Sequence, residues 1–66
     1  MKTLTPSEKQ VAMLVMQGLS NKTIAGNLSV TEKTIKFHLT NIYKKMEVKS
    51  RTQLIVKMFT YAHTLS

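Results

Sequence analysis

The chain has 66 residues, with ten Lys and Arg against three acidic residues, a net charge of +7 and no Cys. So short a chain can hardly build both a core and a sequestered catalytic pocket, and without Cys there are no disulfides or thiolate metal sites. We therefore predict one domain over residues 1–66, with no catalytic residue, no metal ligand and no cofactor. The charge favours a polyanionic partner, nucleic acid ahead of a membrane surface.

The apolar segments are short. The longest run, Val11 to Met16, falls far below the roughly 20 residues that a membrane-spanning helix needs. It also lacks the basic start and the small-residue cleavage site of a signal peptide. We expect a cytoplasmic protein with no membrane partner.

The first predicted helix begins after Thr5 and ends near Gly18. Thr5 is a hydroxyl N-cap, Pro6 suits the first helical position, and Glu8 completes a capping box. Gly18 suits a left-handed C-cap. The predicted inner stripe consists of Val11, Leu14, Val15 and Gly18.

A short helix and a longer helix follow. Ser20 can cap a helix over about 21–28, and Thr31 can cap one over about 32–46. Between them lies a tight turn in which we expect Val30 to act as an apolar plug. The predicted inner faces are Ile24, Ala25 and Leu28, then Ile35, Leu39, Ile42 and Met46.

A break over 47–49 precedes the fourth predicted helix, which Ser50 can cap and which runs over about 51–63. Its expected core residues are Leu54, Met58, Tyr61 and Leu65. Strand-like alternation never exceeds three or four residues. The sequence therefore predicts an all-α, four-helix fold.

The third helix separates its residues by chemistry. Opposite its apolar stripe lie Lys33, Phe37, Thr40 and Lys44, flanked by Lys36 and Asn41. Lys can reach guanine acceptors or phosphates, Asn can pair with adenine, and Phe can cover a thymine methyl. Six of the ten basic residues lie between Lys33 and Arg51. This arrangement predicts a helix-turn-helix unit that binds DNA.

Several segments occur in the order and spacing of a known family. They are 4–6 (LTP), Glu8, 18–25 (GLSNKTIA), 28–36 (LSVTEKTIK), His38, 41–46 (NIYKKM) and 48–52 (VKSRT). Together they resemble the LuxR/GerE-type helix-turn-helix of bacterial transcription regulators. The resemblance covers nearly the whole chain and implies a free-standing, GerE-like regulator of double-stranded DNA. It also implies a scaffold helix over about 21–28, a recognition helix over about 32–46 and a dimerisation helix over about 51–63.

The resemblance assigns residues to the DNA. It implies base contacts in the major groove from Lys33, Lys36, Phe37 and Thr40. Expected phosphate contacts are Ser20, Asn21, Lys22, Thr31, Asn41 and Lys44. Helix starts near Ser20 and Thr31 can also aim N–H groups and the positive end of the helix dipole at phosphates.

Some positions depart from the family pattern. Phe37 is bulkier than the usual residue, which affects the preferred DNA sequence. Gln10 and Ala12 replace the more common Glu and Leu, which indicates a weaker first helix. Glu47 replaces the usual Gly, so a left-handed turn there would carry strain of about 1 kcal/mol.

The last helix has a second stripe that predicts pairing of two copies. It contains Thr52, Val56, Phe59 and His63. A self-complementary patch of this kind suits a two-fold homodimer. Alternatively, the chain terminus covers the stripe.

Other interpretations stay open. The Lys stripe could be a solvated face, Phe37 could lie at the core edge or meet a partner protein, and Met13 could contact RNA polymerase or another regulator. We expect His38 to be half-buried and structural. The alternative function is a protein-interaction module that antagonises a related regulator through mixed dimers or a partner-binding apolar face.

Overall fold

The structure, a computed structural model, describes the backbone of residues 3–65 and the side chains of residues 3–60. Within that range the chain forms four α-helices and no strand. They are α1 (Pro6–Met16), α2 (Asn21–Leu28), α3 (Glu32–Met46) and α4 (Arg51–Leu65). The predicted all-α fold class is confirmed, and α4 continues two residues past its expected end at 63.

Side-chain caps begin all four of these helices. The Thr5 hydroxyl accepts a hydrogen bond from the Glu8 N–H (3.1 Å), and the Glu8 carboxylate accepts one from the Thr5 N–H (2.9 Å). The hydroxyls of Ser20, Thr31 and Ser50 each accept a bond from the N–H three residues ahead, at 3.2, 3.2 and 3.1 Å. Because such a cap typically contributes about 1 kcal/mol, these residues determine where each helix begins.

Left-handed residues end the first three helices. Gly18, Ser29 and Glu47 have φ values of 85°, 57° and 58°. After each of them, the next N–H returns to the carbonyl five residues earlier, at 3.3, 3.0 and 3.0 Å. At α2 this turn directs Val30 outward, where it is 41% exposed. The expectation that Val30 plugs the core is therefore wrong.

Glu47 carries the backbone strain that its position predicts. Replacing it with glycine should raise the free energy of unfolding by about 1 kcal/mol, because glycine adopts positive φ without a Cβ clash. For a domain of this size that corresponds to a rise in Tm of about 4–8 °C. Thermal unfolding followed by circular dichroism measures it. The control Glu47→Ala removes the same charge but keeps the Cβ, so an equal gain in that variant would contradict the strain explanation.

Ten buried apolar side chains from all four helices form one core. They are Val11, Ala12, Val15, Ile24, Ala25, Ile35, Leu39, Ile42, Met46 and Leu54. The four that belong to α3 place it at the centre, in contact with each of the other helices. Burial of this inner stripe fixes which face of α3 points outward.

The edges of the core differ in part from the prediction. In α1, Ala12 is fully buried, whereas Leu14 is half-buried. Leu28 and Met58 also pack at the edge of the core. The side chains of Tyr61 and Leu65, which were predicted to face the core, lie outside the described residues.

A buried ion pair ties the start of α1 to the end of α3. The Glu8 side chain is 5% exposed, and its Oε1 accepts a hydrogen bond from Lys45 Nζ at 2.7 Å. The Lys45 hydrogen bond, followed by that of the Thr5 N–H, lowers the pKa of Glu8 below its ordinary value of 4.5. The pair therefore stabilises the packing of α1 against the last turns of α3.

Candidate nucleic-acid interface

The outer face of α3 is basic and open to solvent. The exposed residues on it are Lys33, Lys36, Phe37, Thr40 and Lys44, and Asn41 is half-buried at its edge. The structure thus brings all four predicted base-contact residues onto one surface. Two of the predicted phosphate contacts lie on the same helix.

Phe37 lies on this basic face and not at a core edge, since its side chain is 63% exposed. Its ring contacts the ring of the half-buried His38, with centroids 5.9 Å apart and planes inclined by 59°. A ring this exposed presents apolar area that an external partner can cover. Phe37 is therefore available for an apolar contact outside the domain.

The Thr40 hydroxyl is already used as a donor within the helix. Its Oγ1 donates a hydrogen bond to the Lys36 carbonyl at 3.0 Å. This bond to the preceding turn leaves the lone pairs of Oγ1 and the methyl group for an external partner. Thr40 can therefore accept a hydrogen bond from a base or contact a methyl, as it stands.

The starts of α2 and α3 repeat one arrangement. In each, the capping hydroxyl of Ser20 or Thr31 also bonds the hydroxyl three residues ahead, at 3.1 Å. Both caps are followed two residues later by an exposed lysine, Lys22 or Lys33. Because the hydroxyls are engaged in capping, the first backbone N–H groups and these lysines are what each helix start offers to an anion.

The exposed cations are fewer than the sequence suggests. Of the six basic residues between Lys33 and Arg51, Lys45 is paired with Glu8, and Arg51 is hydrogen-bonded to α2 and the turn before it. The other four, Lys33, Lys36, Lys44 and Lys49, are exposed. With Lys22, they make the surface of α2, α3 and the following turn strongly positive.

Arg51 is a residue whose role the sequence patterns missed. Its Nη1 donates to Asn21 Oδ1 at 2.8 Å, and its Nη2 donates to the Leu19 carbonyl. The guanidinium therefore joins the first residue of α4 to the start of α2. Partners 30 residues apart leave no local spacing signal, although the basic residue type was visible.

Two other kinds of site are absent from the described part of the chain. Among them, no group of three or more His, Cys, Asp or Glu is placed to hold a metal ion. None of the helices in this part of the chain has the length and apolar character needed to cross a membrane.

A short capped helix, a tight turn and a longer helix with a basic exposed face define a helix-turn-helix DNA-binding domain. The family model "Bacterial regulatory proteins, luxR family" (GerE) matches residues 2–58. The chain therefore belongs to the luxR family of bacterial regulatory proteins, which confirms the resemblance stated above.

Known relatives are similar in sequence and structure. The nitrate/nitrite response regulator NarL of Escherichia coli is 47% identical over 53 residues, which are 80% of this chain and 24% of NarL. The response regulator VraR of Staphylococcus aureus is 40% identical over 58 residues, 88% of this chain and 28% of VraR. The chain spans only 6% to 28% of the curated relatives it matches.

A solved structure matches at the level of the domain itself. It is the DNA-binding domain of the response regulator ComA in complex with the anti-activator RapF. The TM-score is 0.81 at 34% identity, and the match covers 83% of this chain and 95% of that chain. The fold is thus that of a transcription regulator's DNA-binding domain.

Proposed function

We propose that this domain is a sequence-specific transcription regulator that binds the major groove of double-stranded DNA as a homodimer. The observation that carries the proposal is the exposed face of α3, where three lysines and an exposed aromatic ring lie together. Lys33 and Lys36 are suited to guanine acceptors, Phe37 to a thymine methyl, and Thr40 to a base donor or a thymine methyl. Such a regulator acts in the cytoplasm, at the nucleoid.

Phosphate contacts would set the register of this face on the duplex. We assign them to Asn21 and Lys22 at the start of α2, and to Asn41 and Lys44 along α3. Ser20 and Thr31 contribute through the helix starts that they cap, where N–H groups without an intrahelical acceptor point outward. Contacts of this kind supply affinity without sequence information.

The two roles should separate in a salt titration. Lys22→Ala should weaken binding to all duplexes alike and reduce the slope of log K against log salt by about one, because one fewer counterion is released. Phe37→Ala should keep that slope, lower the affinity for the preferred duplex by about tenfold and relax the preference at one or two base pairs.

Fluorescence anisotropy with the preferred duplex and a scrambled duplex, between about 50 and 200 mM salt, measures both the salt slope and the affinity. Lys9→Ala is the control, because Lys9 is an exposed lysine on α1, outside the helix-turn-helix unit formed by α2 and α3. Identical behaviour of the Lys22 and Phe37 variants would refute the division of roles.

The second stripe of α4 supports pairing. Thr52 is exposed, and Val56 and Phe59 are 59% and 57% exposed. His63, the fourth predicted interface residue, lies outside the described side chains. Two large apolar groups on one helix face are suited to an isologous contact with a second copy. Such a pair would place two recognition helices about 34 Å apart, one turn of DNA.

Replacing Val56 with Asp should prevent this pairing, because it would bury a carboxylate against its own symmetry mate. We expect binding to a two-half-site duplex to fall at least about tenfold, with single half-site binding unchanged. Sedimentation and anisotropy measure the two quantities. Met13→Asp is the matched control, since Met13 is 60% exposed on α1. Equal losses in both variants would rule out α4 as the dimer face.

The second candidate function is a protein-interaction module that antagonises a related regulator, and one finding shows that a domain of this fold can bind a protein partner. The ComA domain, which shares this fold, was crystallised in complex with the anti-activator RapF. Mixed dimers through α4, or a contact of RNA polymerase or another regulator with Met13, are the candidate interactions. Capture of such a partner that survives nuclease treatment, together with only weak and salt-sensitive DNA binding, would favour this function.

A further inference from the structure

The start of α4 is fastened to the start of α2 by one guanidinium group. Arg51 donates to two acceptors, the side-chain oxygen of Asn21 and the backbone carbonyl of Leu19. These acceptors lie on either side of the Ser20 cap. Both bonds are partly buried, and Arg51 itself is half-buried. The guanidinium therefore orients the residues that flank the α2 cap.

The Asn21 amide has one orientation in this contact. Arginine carries donors and no acceptor, so the atom of Asn21 that faces it must be the carbonyl oxygen. Since the amide is planar, its NH₂ group is then turned away from Arg51. The first turn of α2 consequently presents two kinds of donor together, the Asn21 NH₂ and the backbone N–H groups of the helix start.

We propose that Arg51 is a positioning residue for DNA binding: by holding the Asn21 carbonyl, it directs the Asn21 NH₂ toward a backbone phosphate. The inference rests on the proposed function, because it concerns the phosphate contact at the start of α2. It also gives α4 a direct link to the DNA-contacting helix start.

Lysine cannot reproduce this contact. An ammonium is a compact point charge on a flexible stem, whereas the planar guanidinium serves two acceptors from fixed directions. In Arg51→Lys the net charge is retained, so long-range attraction of DNA is unchanged. The Asn21 amide, however, is free to rotate in this variant. If Arg51 contributed only its charge, Arg51→Lys would bind DNA as well as the wild type.

A double-mutant cycle tests the coupling. We expect Asn21→Ala and Arg51→Lys each to weaken binding of the preferred duplex about tenfold, the scale of one hydrogen bond to a charged group. If Arg51 acts through Asn21, the double variant should also be weakened about tenfold. Independent contributions would give about a hundredfold loss in the double variant, and that result would overturn the proposal.

A control variant separates positioning from general loosening of α4. Lys57 Nζ donates to the Met46 carbonyl, so Lys57→Met also removes a tether of α4, but at the far end of α3. We expect less than a threefold change in its DNA affinity, at a temperature where circular dichroism shows every variant folded. A tenfold loss in Lys57→Met, matching that of Arg51→Lys, would overturn the proposal.

NMR signals of the Asn21 side-chain amide test the proposal in the unsubstituted chain. On titration with the duplex, the side-chain amide protons of Asn21 should shift in NMR spectra and exchange more slowly with water. Unchanged Asn21 amide signals in a chain that binds the duplex would overturn the proposal and leave the proposed function standing. A chain that binds no duplex specifically would instead contradict the proposed function itself.

Discussion

Reversing the charge of Lys36 is expected to weaken specific DNA binding on the order of 100-fold or more. Lys36 is exposed on the outer face of α3, beside Phe37 and one turn before Thr40. Removing a base contact costs about 1–3 kcal/mol, and a glutamate there would add repulsion from the phosphates. Anisotropy with the preferred duplex at physiological salt measures the loss.

The matched control for this effect is Lys9→Glu. Lys9 is also an exposed lysine, but it lies on α1, and its reversal changes the net charge by the same amount, from +7 to +5. We expect a change of less than about threefold, since Lys9 lies outside the helix-turn-helix unit and would contribute only long-range attraction, which salt screens. Equal losses of DNA affinity in Lys36→Glu and Lys9→Glu would mean that binding depends only on the net charge of the domain.

Replacing Glu8 with glutamine should lower the free energy of unfolding by about 2 kcal/mol at neutral pH. The substitution removes the charge that accepts the 2.7 Å hydrogen bond of Lys45, in a side chain that is 5% exposed. Breaking a largely buried ion pair leaves the other charge without its partner, which is costly. Urea unfolding followed by circular dichroism measures the difference.

The same pair makes a predictable contribution to acid unfolding. The folded-state pKa of Glu8 lies below 4.5 because the Lys45 hydrogen bond favours the carboxylate. Its stabilisation is therefore fully present above the unfolded-state pKa and is lost as the pH falls through the folded-state pKa. The difference in the free energy of unfolding between the wild type and Glu8→Gln should therefore vanish on acidification. Glu32→Gln, which replaces an exposed glutamate, is the control. A gap that stays constant with pH would contradict the pairing.

Local chemistry was enough to predict the helices. Caps such as Thr5 and Thr31 act within three residues, and the apolar stripe of α3 extends over about three turns. The left-handed Gly18 was recognisable by residue type, but the left-handed Ser29 was not, because serine is not a usual residue at such a position. Because the turn at Ser29 directs Val30 outward, the exposure of Val30 was missed together with that turn.

Contacts between helices could not be predicted in this way. The pairs Glu8–Lys45 and Asn21–Arg51 join residues 37 and 30 positions apart. Which side chains meet across such a sequence separation depends on how the helices pack. The periodicity of a single helix does not determine that packing. The outer face of α3 was nevertheless predicted correctly, because it is the complement of the buried stripe.

Selection of bound sequences from random duplexes at physiological salt is the most direct measurement of sequence-specific binding by a two-fold pair. We expect enrichment of a motif with two half-sites whose centres lie about 10 base pairs apart, one turn of DNA. A single half-site would contradict the homodimer. No enrichment over background would contradict sequence-specific recognition by α3.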